Sequence, residues 1–324
     1  SNLGGLLNRQ GKQSEGEELL RKAVEIQTRV LGAEHPETAR SMSSHAYVLR
    51  DLGKPAEAEA LYRKALPIQR RRLGVHHPDT LHTIISLATF LQSRGQWTEA
   101  ESLDRELLEV RQRVLGEDHR STLRAMTDLA SVLWSQDKHV ESVSLYRKAR
   151  EAQRRVQGPT HRDTLRSTGS LAGLLLDLAK WSEAEPLARE ALDGRRSTLP
   201  PGHADIASSL STLGGILTLK GEPTEAEPLL REALEIRRKV LAAGHWHTAN
   251  TQSLLGQCLL AQGRHADAEP LLLEAHHSLT AHPGTPPARI HQTLDRLIRL
   301  YDAWQKPDQA TEWRKKLEEL KPGD

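Results

Sequence analysis

The chain has 324 residues, with 45 Lys and Arg against 43 Asp and Glu, one Cys and 3% aromatic residues. A lone thiol excludes an internal disulfide framework, and no apolar run reaches the ~18 to 20 residues of a membrane span. A net charge of +2 gives no bulk attraction to nucleic acid or to an anionic membrane, and a hydrophobic fraction of 37% suits an elongated array of thin layers better than one deep globule. With no signal-like segment at the start, the expected location is cytoplasmic.

In chain order the turns recur every 42 residues: LGAEHPET from Leu31, LGVHHPDT from Leu73, LGEDHRST from Leu115, QGPTHRDT from Gln157, LPPGHADI from Leu199 and LAAGHWHT from Leu241. Histidine returns at 35, 77, 119, 161, 203 and 245. The chain therefore divides into one array: a partial repeat at 1–30, repeats at 31–72, 73–114, 115–156, 157–198, 199–240 and 241–282, and an atypical capping repeat at 283–324. Within 31–72, Met42, Ala46, Val48, Leu49 and Leu52 fall at helical spacing and predict a first helix. The histidine turn starts that helix, with Pro36 or Pro78 near its first position, and Gly53 ends it, as do Gly11, Gly95, Gly221 and Gly263. Asp137, Ala179 and Gln305 depart from that glycine. A second helix is predicted from Pro55 to Arg72, with Ala58, Leu61, Tyr62, Ala65 and Leu66 on one face, acids first and Arg70, Arg71 and Arg72 last. Pairs such as Glu59 with Arg63 recur at i, i+4 and support local helicity. His45, the one break in a leucine column of Leu3, Leu87, Leu129, Leu171, Leu213, Leu255 and Leu297, is read as a packed, hydrogen-bonded substitute.

Those columns reproduce the tetratricopeptide repeat pattern: the leucines, small Ala46, Ala88, Ala130 and Ala172, and the small, large, small set Ala58, Tyr62 and Ala65. The 42-residue unit, its LGxxHPxT turns and the run EAExLYRKAL resemble the kinesin light chain subtype. The resemblance implies an all-α TPR solenoid, a right-handed superhelix of antiparallel helix pairs with the first helices on the concave face, and a role in holding peptides or partner proteins. In kinesin light chains asparagines precede the leucine column; here Ser43, Ser44, Ser86, Asp128, Ser170, Ser211 and Thr212 stand there and only Asn2 keeps the feature, which argues against kinesin cargo recognition. The stretch LIRLYDAWQKPDQATEWRKKLEEL resembles the end of repeat arrays attached to bacterial serine/threonine protein kinases. Residue 1 falls inside a first helix, so more chain is expected before it.

Several motifs have plain structural explanations. His161, Arg162 and Asp163 spell HRD, but the Asn expected five residues after Asp163 is Thr168 and His161 belongs to the turn column. Gly5 to Lys12 misses the phosphate loop, because five residues separate Gly5 from Gly11 and Gln13 follows Lys12. Histidines one repeat apart ride on helices about 8 to 10 Å apart and cannot share an ion at about 2 Å, so no metal and no cofactor is expected. His245 with His247, or His276 with His277 and His282, is at most an adventitious site. Cys258 lies in an apolar column and is expected to be buried and inert.

The expected binding surface is the first-helix stripe at positions 40, 43, 47 and 50 and their equivalents. Its candidate residues are Arg40, Tyr47, Arg50, His82, Arg124, Trp134, Arg166 and Leu176: cationic donors beside an aromatic anchor, suited to an extended acidic peptide with an apolar residue. Gly169, Gly173 and Gly215 are expected to leave room for a bulky ligand. The reading is a non-enzymatic interaction scaffold within a larger bacterial signalling protein. The alternatives are the substrate-recruiting region of a serine/threonine kinase and the sensor arm of a regulatory ATPase.

Overall fold

A computed structural model describes residues 13–320, and the part of the first repeat that carries Asn2, Leu3, Gly5 and Gly11 lies outside the described residues. Among the described residues there are fifteen α-helices and no strand. They form two compact units, Ser1–Ala125 and Met126–Asp324. The first unit holds α1 (Gln13–Leu31), α2 (Pro36–Asp51), α3 (Pro55–Leu73), α4 (Pro78–Ser93) and α5 (Trp97–Leu115), while α6 (Arg120–Ser135) runs across the boundary. The second holds α7 (His139–Gln157), α8 (Arg162–Asp177), α9 (Trp181–Thr198), α10 (Ala204–Leu219), α11 (Pro223–Val240), α12 (Trp246–Ala261), α13 (His265–Ala281), α14 (Pro287–Ala303) and α15 (Pro307–Glu319). Even-numbered helices are the first helices of the repeats and odd-numbered ones the second.

The turn motif repeats because it closes on itself. The Nδ1 atoms of His35, His77, His119, His161, His203 and His245 each accept the backbone N–H two residues on, at 3.1 to 3.2 Å, and so satisfy a helix donor that would otherwise be orphaned. Thr38, Thr80 and Thr164 donate back to the carbonyls of Gly32, Gly74 and Gly158 at 3.0, 2.8 and 2.8 Å. The histidine column is structural, and the HRD of 161–163 is one helix start among six.

The turn inside each helix pair needs a left-handed residue. Gly53, Gly95, Gly221 and Gly263 supply it with φ between 72° and 86°, and Asp137, Ala179 and Gln305 adopt the same conformation at 58°, 56° and 57°. An L side chain there is strained by about 1 kcal/mol or more. Ala179→Gly is therefore expected to stabilise the chain by about 0.5 to 1 kcal/mol, net of the extra freedom glycine has when unfolded. A urea midpoint that stays put or falls would refute this.

Helix pairs stack through matching columns. In the second unit Leu171, Leu213, Leu255 and Leu297 are buried against small Ala184, Ala226, Ala268 and Ala310, all in one continuous core. In the first unit Ala58, Tyr62, Ala65 and Leu66 are buried, with the Tyr62 ring 6.1 Å from that of Phe90. His45 is packed as expected, its Nε2 2.9 Å from Glu17 Oε1. Second helices are tied across repeats by arginine–glutamate pairs 36 residues apart: Arg63–Glu99 and Arg70–Glu106 in the first unit, and Arg147–Glu183, Arg154–Glu190, Arg189–Glu225 and Arg196–Glu232 in the second. All but the part-buried Arg70–Glu106 are exposed, and each contributes little alone; in the second unit the pattern recurs from α7 to α9 and from α9 to α11.

Candidate functional site

The first-helix stripe is not uniformly open. Ser43, Thr127, Ser211 and Ser253 are buried, and they bond between neighbouring helices rather than facing outward. Thr83 donates to Ser43 at 2.9 Å, Ser211 and Thr251 lie 3.1 Å apart, and Ser253 and Thr293 2.8 Å apart. The position-43 column thus belongs to packing. A short hydroxyl there satisfies its neighbour at close helix approach, where a long side chain would hold the helices apart.

Within the first unit, Tyr47 is 38% exposed with the Arg50 guanidinium 4.3 Å from its ring centre, a cation–π pair. Arg50 also donates twice to Asp51, at 3.0 and 2.8 Å. Arg40 bonds Glu37 at 2.5 Å, and His82 and Arg124 are exposed. In the second unit Arg166 donates to Asp128 at 2.9 Å. Three of the predicted cations, Arg40, Arg50 and Arg166, therefore already have carboxylate partners.

The glycines do not leave the room expected of them. A Cβ on Gly173 would lie 2.9 Å from the Trp134 indole, one on Gly215 would lie 3.0 Å from Leu176, and one on Gly169 would lie 3.1 Å from the Arg195 guanidinium. Trp134 and Leu176 each lie over a glycine of the next repeat, so the space vacated by the missing side chain is filled by the protein's own neighbour. Trp134 is half-buried and its Nε1 donates to Asp177 at 2.8 Å.

Asp177 is the centre of a polar cluster in the second unit. Arg289, 112 residues away at the start of α14, donates to both its oxygens at 2.7 and 2.8 Å, and Gln292 donates at 3.2 Å. The Arg289 guanidinium also sits 5.3 Å from the Trp134 ring centre. Both members of the ion pair are largely buried, with side chains 14% and 10% exposed. Contact between the first helices α8 and α14, three repeats apart, means that the row of first helices in this unit curls inward and lines its inner wall.

Buried arginines lie close to that wall. Arg237 and Arg296 are buried, and their hydrogen bonds go to neutral acceptors: Arg237 to the His247 carbonyl at 2.6 Å and to the Thr251 hydroxyl, Arg296 to Gln257 and Ser253 at 2.8 Å each. Burial pushes both guanidinium groups down to about 10, and the charge of Arg289 adds to the shift. Arg195 is similarly buried on the Ser209 hydroxyl at 2.7 Å, and burial lowers it too. The rings of His245, His247 and His282 lie together, His245 5.3 Å from His247 and 5.4 Å from His282. Burial, then the charge of Arg237, holds His247 well below its ordinary value.

Sequence reasoning missed Asp177, Arg237, Arg289, Gln292 and Arg296. One signal was present: the position occupied by Arg289 is acidic in four of the first five complete repeats, as Glu37, Asp79, Asp163 and Asp205 with Ser121 the exception, then turns to His247 and Arg289. Arg111, Arg195 and Arg237 share a column with Gln27, Gln69 and Gln153. Cys258 is buried as expected, its thiol 3.2 Å from the Pro223 carbonyl and pushed up by burial. No helix among the described residues is long and apolar enough to cross a membrane.

The tetratricopeptide repeat model matches residues 1–71, 79–149, 124–197 and 205–278, and the chain belongs to that family. Among solved structures it is similar to kinesin light chain TPR-like repeats of Podosopora anserina, at 25% identity and a TM-score of 0.52, over 64% of this chain and 99% of that one. It is also similar to BtubC (BKLC) of P. vanneervenii, at 21% identity and a TM-score of 0.57, over 70% and 91% of the two chains. A Rap protein complexed with competence and sporulation factor shares the fold at 13% identity and a TM-score of 0.66, over 99% and 96%. No curated protein matches the sequence. The kinesin-light-chain-like character of the 42-residue turns is thus shared with solved repeat arrays, and the TPR fold is that of a protein–protein interaction scaffold.

Proposed function

We propose that the first-helix wall of residues 126–324 binds a peptide or an extended segment of a partner protein, and that this binding is what the chain contributes to a larger assembly. The observation that carries this reading is the contrast between the two faces. The second-helix row repeats the same arginine–glutamate pairs between α7, α9 and α11, whereas the inner positions change from repeat to repeat: Ser131, Gly173, Gly215, Gln257 and Arg299 in one column, Trp134, Leu176, Thr218 and Leu260 in another. A surface that served only to stack would repeat. Arg166 adds unfilled hydrogen-bonding capacity on this wall, since its Nε and Nη2 find no partner among the described residues, and so does Asn250 Oδ1. The Rap protein of similar fold is seen with a bound factor, a precedent for ligand capture by this architecture. An acidic segment with an apolar residue suits the wall, because Trp134 offers an aromatic surface among guanidinium groups.

Selection of a phage-displayed random dodecapeptide library on the protein tests the reading. Hydrogen exchange of the complexes is expected to show protection in α6, α8, α10 and α12, and Trp134→Ala is expected to weaken binding at least tenfold. Protection confined to the second helices, or unchanged affinity in the variant, would overturn it.

A further inference from the structure

Asp177 is held as a bound carboxylate would be. It accepts hydrogen bonds from an indole N–H, from both arms of a guanidinium and from a side-chain amide, all projecting from the inner wall of one unit. Arg–carboxylate forks of this kind are the strong form of charged hydrogen bond, and they fix the planes of both groups. As a mere strut between α8 and α14 the pair would be a poor choice. Desolvating two charges cancels most of their attraction, and apolar residues of similar volume would hold the helices at least as well. The surroundings also favour negative charge, because Arg237 and Arg296 lie buried near Arg289 and hydrogen-bond to neutral acceptors, with Asp177 and Asp295 the carboxylates that act on Arg296. Among the described residues, Asp177 is the carboxylate paired with Arg289.

We propose that Arg289, Gln292 and Trp134 form a carboxylate receptor which the chain's own Asp177 occupies, and that an Asp or Glu side chain of a partner peptide takes Asp177's place when the wall is filled. This rests on the inner-wall reading above. The contact is then a clasp: closed, it ties α8 to α14 and covers the indole; open, it exposes the indole face and a guanidinium fork together. The exchange is close to balanced, since one carboxylate leaves the fork as another enters. The ligand's net gain comes from the apolar surface it buries on Trp134 and Leu176. Discrimination follows as well, because a peptide without a carboxylate would leave Arg289 unpaired beside Arg237 and Arg296.

The test uses the whole chain and dodecapeptides fused through their C-termini to a phage coat protein, so that only side-chain carboxylates are on offer. Selections are run on the wild-type protein, on Asp177→Asn and on Arg289→Met, each checked for an unchanged helical spectrum. Pools from Asp177→Asn are expected to be enriched in Asp and Glu and to bind that variant at least tenfold more tightly than wild type. Arg289→Met is expected to lose the acidic preference. In the wild-type protein, adding a selected peptide is expected to move the Trp134 indole N–H resonance, assigned from its absence in Trp134→Phe, away from its Asp177-bonded position. Peptides that protect the inner helices yet show no acidic preference, or bind Asp177→Asn and wild type within twofold, would overturn the clasp and leave the inner-wall reading standing. Failure of every pool to protect the inner helices would remove both.

Discussion

Leu230→Ala is expected to destabilise the second unit by about 3 to 4 kcal/mol. The side chain is fully buried and lies over Gly214 of the facing helix, where a Cβ would approach its branch carbon to 2.6 Å. With glycine opposite, nothing nearby can move into the space that truncation opens, so the void persists and the cost stays near the upper part of the usual range. Gly214→Ala alone gains helix propensity but crowds Leu230, for a net loss of about 1 kcal/mol. Combined, the two changes reproduce the residues of the preceding repeat, Ala172 and Ala188. The double variant is expected to lose about 2 kcal/mol, well short of the sum. Urea unfolding followed by circular dichroism measures the cycle, and additivity within about 0.5 kcal/mol would show that the two residues do not share one packing site.

Acid is expected to loosen the repeats around α12 and α13 well before it protonates most carboxylates. His247 is neutral when folded, because burial and the nearby charges of Arg237 and Arg289 oppose its protonation, and His245 and His282 face it from the same cluster. Unfolded, it takes up a proton below its ordinary value of 6.5. Above that value both states are neutral and stability is flat; below it the unfolded chain binds more protons, and stability falls by about 1.4 kcal/mol per pH unit. His247 alone should therefore account for a loss of about 1.4 kcal/mol between pH 7.5 and 5.5, with smaller contributions in the same direction from His245, His276 and His282, whose values burial also lowers. His247→Asn should remove the largest part of the slope. A urea midpoint in that variant falling as steeply as in wild type would place the acid sensitivity elsewhere.

Much of the site was illegible in the sequence for one reason: periodicity describes neighbours. The pairing of helices within a repeat, the turn histidines and the buried hydroxyl ladder all join residues one repeat apart or less, and each leaves a column. Trp134 was recognisable as an aromatic on the first-helix stripe, but its seat over Gly173 depends on how closely α6 and α8 approach. The glycine looked like room for a ligand, whereas it is room for the indole. Arg40 and Arg166 looked like free donors, and each has a carboxylate partner one turn or one repeat away. The inversion of charge at Arg289 was visible in its column, yet no local rule says that it faces Asp177.

By itself the sequence determined the all-α repeat architecture, the boundaries of its helices, the structural role of the histidines and the burial of His45 and Cys258. These follow from short-range hydrogen bonding and from helical spacing of apolar residues, both written in the order of the chain. Only the tertiary structure decided which inner positions are open, which cations are already paired, and that α8 and α14 meet across the wall. The rotation between successive repeats is set by packing at every interface. Its sum over three repeats brings Asp177 to Arg289, and no single interface encodes that sum.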